Sequence, residues 1–137
     1  AVTKWRIREM TRTREICGEL LAEGETEKLV IVGDFNDDFG MDEFERGIGT
    51  DAVAVMLAGE GDEKLASPTR RYVLRHPDAA TYHSEIKPRQ WRSFIDHAFV
   101  SSALMGRHQA TRVIDAGIAA VASDHLPVLT VFRLPAE

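Results

Sequence analysis

The most constraining feature of this sequence is a short apolar run, Leu-Val-Ile-Val at residues 29–32, that ends in Gly-Asp-Phe-Asn at residues 33–36. Four consecutive apolar residues, three of them β-branched, are too few for an amphipathic helix and predict a strand that is buried on both faces. Such a strand would position Asp34 and Asn36 at the edge of a sheet, where ligand-binding sites of α/β folds commonly lie. A simple turn is the alternative, because Asp and Asn readily bond to their own backbone.

Two later segments also combine an apolar strand with acidic residues and histidines. Residues 93–101 set Asp96 and His97 into an apolar stretch, and residues 122–128 place Asp124 and His125 directly before another apolar run. Each short motif is weak evidence when it is taken alone. The three motifs in this order are much more specific than any one of them.

The motifs Gly-Asp-Phe-Asn (33–36), Ile-Asp-His (95–97) and Ser-Asp-His-Leu-Pro-Val (123–128) resemble those of the endonuclease/exonuclease/phosphatase superfamily, the DNase I-like metal-dependent phosphoesterases. The resemblance implies an α/β (α+β) fold, a four-layer α/β/β/α sandwich whose mainly antiparallel or mixed sheets are flanked by helices. It covers most of this chain but only the carboxyl-terminal half of such a domain. We therefore expect residues 1–137 to be a single domain that forms the carboxyl-terminal portion of a longer protein.

The resemblance also implies a role for each matched side chain. Asp34 corresponds to the acid that orients or deprotonates the attacking water, and Asn36 to the amide that holds this water or the phosphate. Asp96 corresponds to the acid that buttresses a histidine, and His125 to that histidine, which faces the phosphate. Asp124 corresponds to the neighbouring acid that is associated with the metal, and Asp34 is expected to share in the same Mg²⁺ or Mn²⁺ site.

Simpler explanations exist for these residues one at a time. Asp96 could be a strand acid paired with Arg92, and an isolated His125 would most often be a hydrogen-bonded core histidine. His97 lies on the opposite face of the strand from Asp96. It occupies a position that the resembled family does not use consistently, so we expect it to be structural. We expect the acids of the loop and helix start after the first strand to be solvated, namely Asp37, Asp38 and Asp42. The remaining histidines are expected to lie at the surface, namely His76, His83 and His108.

Charge is distributed unevenly along the chain. The net charge is −5, yet residues 69–93 carry six Lys and Arg residues against two acidic ones. This local excess predicts attraction of an anion, and within it Arg92, Arg89 and Tyr82 are candidate substrate contacts. Periodicity is weak between residues 64 and 90, where we expect an irregular segment with one strand near residues 71–74.

The remaining elements follow from periodicity and composition. We expect a helix over residues 3–22, whose face includes Cys17 as a small core residue, and strands over residues 91–101 and 126–132. A single cysteine cannot form an internal disulfide and favours a cytoplasmic location. No apolar run reaches the length of a membrane span.

Together these features predict Mg²⁺- or Mn²⁺-dependent hydrolysis of phosphoester bonds, with a nucleic acid or a small phosphoester as the substrate. The chain lacks counterparts of the family's amino-terminal Asn, metal-binding Glu, and Tyr or His. We therefore expect it to be poorly active alone and to associate through an exposed sheet face, either with an amino-terminal half or with a second copy. The alternatives are a non-catalytic binding module of the same fold and an unrelated α/β domain whose acids only cap loops.

Overall fold

The computed structural model describes residues 2–24, 27–84, 91–115, 117 and 122–135. The helices and strands follow one another in chain order as α1 (Val2–Ala22), β1 (Val30–Asp34), α2 (Glu43–Ile48), α3 (Ala52–Leu57), β2 (Leu65–Ala66), α4 (Pro68–Arg75), β3 (Tyr82–Ser84), β4 (Trp91–Ser93), β5 (Asp96–Ser101), α5 (Ser102–Met105), β6 (His108–Val113) and β7 (Val128–Phe132). A single 3₁₀ turn, Gly61–Glu63, precedes β2.

The strands form a central sheet and two hairpins. The central sheet has the order β1-β5-β2, and the hairpins are β3-β4 and β6-β7. Every pairing between these strands is antiparallel. The structure thus confirms a mixed α/β fold with antiparallel sheets flanked by helices. None of the helices in the described part of the chain is long and apolar enough to cross a membrane.

The core lies between the central sheet and helices α1 and α3. Its buried members come from both helices, from the sheet and from the loop after β1: Cys17, Phe35, Val53, Met56, Leu65 and Phe99. The predicted helix over residues 3–22 and the core position of Cys17, which is 4% exposed, are confirmed. Burial of these apolar side chains is what fixes α1 and α3 against the sheet.

Strand β1 is not buried on both faces, so that prediction was wrong. Ile31 packs against the core, whereas Val30 is 48% and Val32 is 69% exposed on the opposite face. Side chains alternate along a strand, so one face of β1 meets the helices and the other faces solvent. An uninterrupted apolar run does not distinguish a strand covered on both faces from one that exposes an apolar face.

Residues 71–74 belong to helix α4, and the predicted strand there was also wrong. Ser67 caps the helix, since its side chain accepts the backbone N–H of Arg70 at 3.0 Å, and Pro68 occupies the first turn. A serine followed by proline is a common helix start, because proline lacks the N–H that would have no partner there. The Ser-Pro dipeptide therefore marks the start of this helix.

The strand predicted over residues 91–101 is divided into β4 and β5 by a bend at residues 94–95. Three successive backbone N–H groups at the bend donate to side chains instead of a neighbouring strand. The N–H of Phe94 donates to Asp38 at 3.0 Å, and those of Ile95 and Asp96 donate to the hydroxyl of Thr81 at 3.0 and 3.1 Å. The bend places Asp96 as the first residue of β5.

Candidate active site

Two carboxylates face each other at one end of the central sheet. Asp34 ends β1 and Asp96 begins β5, and the antiparallel register makes them direct partners. Directly opposed side chains of an antiparallel pair lie on the same face of the sheet, and like charges in that arrangement are destabilising. The pair therefore favours a cation or a proton donor between its members.

His125 supplies that donor. Its Nδ1 lies 2.9 Å from Oδ2 of Asp96, and its Nε2 lies 4.0 Å from Oδ2 of Asp34. A carboxylate accepts hydrogen bonds only, so Nδ1 carries the proton that is shared with Asp96. The backbone of His125 forms a β-bridge with Tyr82, and its N–H donates to the hydroxyl of Ser123 at 3.0 Å.

The acidic surroundings raise the pKa of the His125 imidazole above its ordinary value. The hydrogen bond to Asp96 is the largest cause, and the negative charges of Asp96, Asp34 and Asp124 add to it, while burial acts in the opposite direction. Asp124 is exposed, and its backbone carbonyl accepts the N–H of His83 at 3.3 Å. His125 consequently keeps its positive charge to higher pH than a free histidine does.

Asn36 is held against Asp34 by a tight turn. Its backbone has φ of 51°, its N–H donates to Oδ1 of Asp34 at 2.8 Å, and its side-chain Nδ2 donates to Oδ2 at 3.3 Å. Asparagine adopts this left-handed conformation more readily than most residues. A turn and a functional site were alternative interpretations of this segment, but the two are compatible, because the turn orients the carboxylate of Asp34.

Four of the five residues predicted for the site meet through side-chain contacts: Asp34, Asn36, Asp96 and His125. Asp124 adds its charge next to His125. No group of three His, Cys, Asp or Glu residues that could hold a metal ion occurs in the part of the chain that the structure describes. Mg²⁺ commonly takes one or two carboxylates and keeps several waters, so Asp34 fits as one ligand. The described residues by themselves do not form a complete cation site.

The acids that follow β1 are more buried than expected. Asp37, predicted to be solvated, is only 7% exposed and accepts the backbone N–H of Ala52 at 2.8 Å. Burial, together with the neighbouring Glu45, raises the pKa of Asp37 to about 7. Asp38 is half-buried and holds the bend before β5. Asp42 is exposed at the start of α2, as predicted, and it also caps this helix by accepting the N–H of Glu45 at 2.7 Å.

The other histidines do not take part in the site. His97 is buried on the core face of β5, and its Nε2 lies 2.7 Å from the backbone oxygen of Asp37, which confirms its structural role. His76 is exposed as expected. His83 and His108 are half-buried, so the prediction that they lie at the surface was too simple.

The three predicted substrate contacts fall in different places. The ring of Tyr82 lies 5.1 Å from the ring of His125. Arg92 pairs with His83 in the β3-β4 hairpin, so its side chain lies on the opposite face of the hairpin from Tyr82. Arg89 lies outside the described residues. Tyr82 is therefore the predicted substrate contact that the structure places next to His125.

A cavity of about 610 Å³ opens beside the site. Asp34, Asp96 and His125 form its polar part, and residues of β1 and β7 form its apolar part. The exposed Val30 and Val32 belong to this apolar wall. The site is therefore continuous with the uncovered face of β1.

Sequence reasoning missed two side chains that organise the site, Thr81 and Ser123. Both are hydroxyl residues that accept backbone N–H groups of the segments bearing Asp96 and His125. Ser123 lies two residues before the N–H that it accepts, which is a recognisable local motif. Thr81 acts on residues 14 and 15 positions away, so no local pattern marks it.

The chain matches the model of the Endonuclease/Exonuclease/phosphatase family over residues 18–125. The chain belongs to this family. The match begins in α1, ends at His125 and includes every predicted site residue. Membership in the Endonuclease/Exonuclease/phosphatase family supports a phosphoesterase or nuclease type of activity, and members of the family generally depend on divalent metal ions. No curated protein matches the chain significantly.

Proposed function

We propose that the protein carrying this chain hydrolyses phosphoester bonds with the help of Mg²⁺ or Mn²⁺. The observation that carries the proposal is the position of His125, which binds Asp96 through Nδ1 and turns Nε2 towards Asp34. Family membership supports the reaction class. Hydrolysis of a phosphoester requires stabilised charge on the phosphoryl group, a positioned water and help for the leaving oxygen.

His125 provides the positive charge and the transferable proton. The bond from Nδ1 to Asp96 fixes the orientation of the ring and stabilises its charged form, so Nε2 is the atom that meets a phosphoryl oxygen. The 4.0 Å between Nε2 and Asp34 is too long for a direct hydrogen bond. Asp34 thus stabilises the imidazolium through its charge and does not hold Nε2.

Asp34 and Asn36 act on the attacking water. The carboxylate of Asp34 is 38% exposed and is oriented by the backbone and side-chain N–H groups of Asn36. A carboxylate at the rim of the site orients or deprotonates a water that approaches the phosphoryl group. Asn36 holds the carboxylate in place and offers its amide to the same water or to the phosphate.

The divalent cation would neutralise the negative charge of the phosphate. Asp34 is its proposed ligand, and Asp124 increases the negative charge next to the site. Because the described residues form no complete cation site, the remaining ligands come from outside this set. This incompleteness supports the expectation that the chain alone is poorly active.

The substrate is a nucleic acid or a small phosphoester. Tyr82, next to His125, is the proposed stacking contact, and the geometry favours it over Arg92. Salt dependence distinguishes the two substrate classes, because contacts to several phosphates release several counterions. A steep loss of apparent affinity with ionic strength indicates a nucleic acid, and a shallow one indicates a small phosphoester.

The apolar face of β1 is the surface through which the chain associates with an amino-terminal half of the domain or with a second copy. Val30 and Val32 are 48% and 69% exposed on this face. Exposed apolar surface of this kind is common where another polypeptide packs. Since this face adjoins the carboxylates through the cavity, a partner bound there would also border the site.

The test is turnover of phosphodiester and phosphomonoester substrates by the full parent protein with Mg²⁺ or Mn²⁺. Asp34→Asn and His125→Gln should each lower kcat by a factor of about 10² to 10⁴ while the circular dichroism spectrum stays unchanged. As a control, Asp62→Asn removes a negative charge, as Asp34→Asn does, but from an exposed turn, and this variant should retain full activity. Full activity in the first two variants would contradict the proposal. Absence of turnover in a folded, metal-supplied parent would favour the non-catalytic binding module.

A further inference from the structure

Thr81 occupies a central place behind the site. It is fully buried, at 0% exposure, and precedes strand β3. Its hydroxyl accepts the backbone N–H groups of Ile95 at 3.0 Å and of Asp96 at 3.1 Å. One side-chain oxygen thereby satisfies two successive donors at the bend before β5.

The backbone of Thr81 reaches the other half of the site. Its carbonyl oxygen accepts the N–H of Leu126 at 2.7 Å, next to His125, and its own N–H donates to the carbonyl of Ser93 at 2.9 Å. The side chain thus holds the residue that accepts the imidazole proton. The main chain holds the segment that carries the imidazole.

We propose that Thr81 is a positioning residue that sets the separation of Asp96 and His125. The inference rests on the proposed function only in that hydrolysis uses this pair. The bond between Nδ1 and Oδ2 is 2.9 Å long and joins segments that lie 29 residues apart in the chain. Thr81 contacts both segments directly, so a change at its hydroxyl moves one member of the pair relative to the other.

The bend explains why a hydroxyl is needed there. Residues 94 and 95 belong to no strand, so the N–H groups of Ile95 and Asp96 take a side-chain acceptor in place of a neighbouring strand. A hydroxyl oxygen has two lone pairs and can accept from both donors. Valine has the same shape and accepts from neither, so Thr81→Val leaves two donors without a partner and releases the first residue of β5.

Thr69, in helix α4, offers a matched control that contacts the same strand β5. It is also 0% exposed, and its hydroxyl accepts the N–H of Ala98 at 3.2 Å, two residues beyond Asp96. Thr69→Val removes a buried hydroxyl whose partners are Ser67 and the backbone of Ala98, and this hydroxyl bonds neither to Asp96 nor to the segment that carries His125. Thr81→Ser keeps the acceptor and loses only a methyl group.

The first experiment observes the Nδ1 proton of His125 by NMR in the purified protein. An imidazole proton held by a carboxylate gives a downfield signal that exchanges slowly with water. Thr81→Val should lose or broaden this signal, whereas Thr81→Ser and Thr69→Val should retain it. An unchanged signal in Thr81→Val, or an equal loss in Thr69→Val, would overturn the inference. The readout needs no turnover, so it separates this inference from the proposed function.

The second experiment measures kinetics in the active parent protein. Thr81→Val should lower kcat about 10- to 100-fold with little change in KM, and Thr81→Ser should restore most of it. In a His125→Gln background the same change should cost no further activity. An equal loss with and without His125 would overturn the positioning role.

A third measurement covers the case in which Thr81→Val does not fold. Native-state hydrogen exchange of the unmodified protein should show the N–H groups of Ile95 and Asp96 protected to the level of the interior of β5. Exchange of both N–H groups at the rate of exposed loops would contradict their proposed hydrogen bonds to the hydroxyl of Thr81.

Discussion

The buried carboxyl of Asp37 gives a prediction about stability that can be worked out from the structure. Burial is the main cause that raises the pKa of Asp37 from 3.8 to about 7, and a hydrogen bond with Glu45 adds to it. The folded state therefore holds this proton more tightly than the unfolded chain. The resulting stability is complete below pH 3.8 and is lost as the pH rises through about 7.

The substitution Asp37→Asn removes this pH dependence without removing the hydrogen bonds. The asparagine oxygen can still accept the N–H of Ala52, and its amide can donate to Glu45 in place of the proton. One pKa unit corresponds to about 1.4 kcal/mol, so the rise from 3.8 to about 7 corresponds to at most about 4.5 kcal/mol. Relaxation around the buried charge and the loss of attraction to Arg6, 4.0 Å away, reduce the expected gain to about 1–2 kcal/mol at pH 8.

Urea unfolding followed by circular dichroism at about pH 5 and pH 8 measures this difference. Asp37→Asn should be more stable than the unmodified protein at pH 8 and should differ less from it at pH 5. Asp62→Asn removes a charge from an exposed turn and should leave the difference between the two pH values unchanged. A variant that is less stable at pH 8, or that keeps the original pH dependence, would show that the proton of Asp37 does not cause this pH dependence.

Two further predictions concern the histidine of the site and the contact between α1 and α3. Because Asp96 raises the pKa of His125, turnover should decline only above the ordinary pKa of histidine, and Asp96→Asn should move that decline to lower pH in a pH–rate profile. The guanidinium of Arg14 in α1 donates to the carbonyls of Ala58 and Glu63, each at 2.7 Å. Gly59 has φ of 125°, and a Cβ added there would collide with this guanidinium. Gly59→Ala should lower the unfolding free energy by about 1–3 kcal/mol in urea titrations, whereas Gly47→Ala, in open space within α2, should be neutral or stabilising.

The sequence was sufficient to predict which side chains of the candidate site meet, because these residues lie within or directly beside strands. Asp34 and Asn36 follow an apolar run, and Asp96 and His125 adjoin two others, so strand ends could be inferred from the apolar pattern alone. The family resemblance implied that these residues form one site, and the structure brings them together by pairing β1 with β5. At these positions the strands expected from the apolar pattern and the strand pairing in the structure are consistent with each other.

Features that depend on contacts distant in sequence could not be inferred. The burial of Asp37 follows from the position of the α3 terminus, and the role of Thr81 follows from a bend that lies 14 residues away. The exposure of Val30 and Val32 depends on what covers the second face of β1. In each case the residue type was visible in the sequence, but its environment was set by another element.

In the proposed function, Asp96 and His125 act as one unit on a phosphoester. A double-mutant cycle with Asp96→Asn and His125→Gln, measured as kcat/KM of the parent protein, tests it most directly. The double variant should lose little more activity than His125→Gln alone, since the 2.9 Å bond between the two side chains carries the effect of Asp96. Losses that multiply in the double variant would show that the two residues act independently, contrary to this expectation.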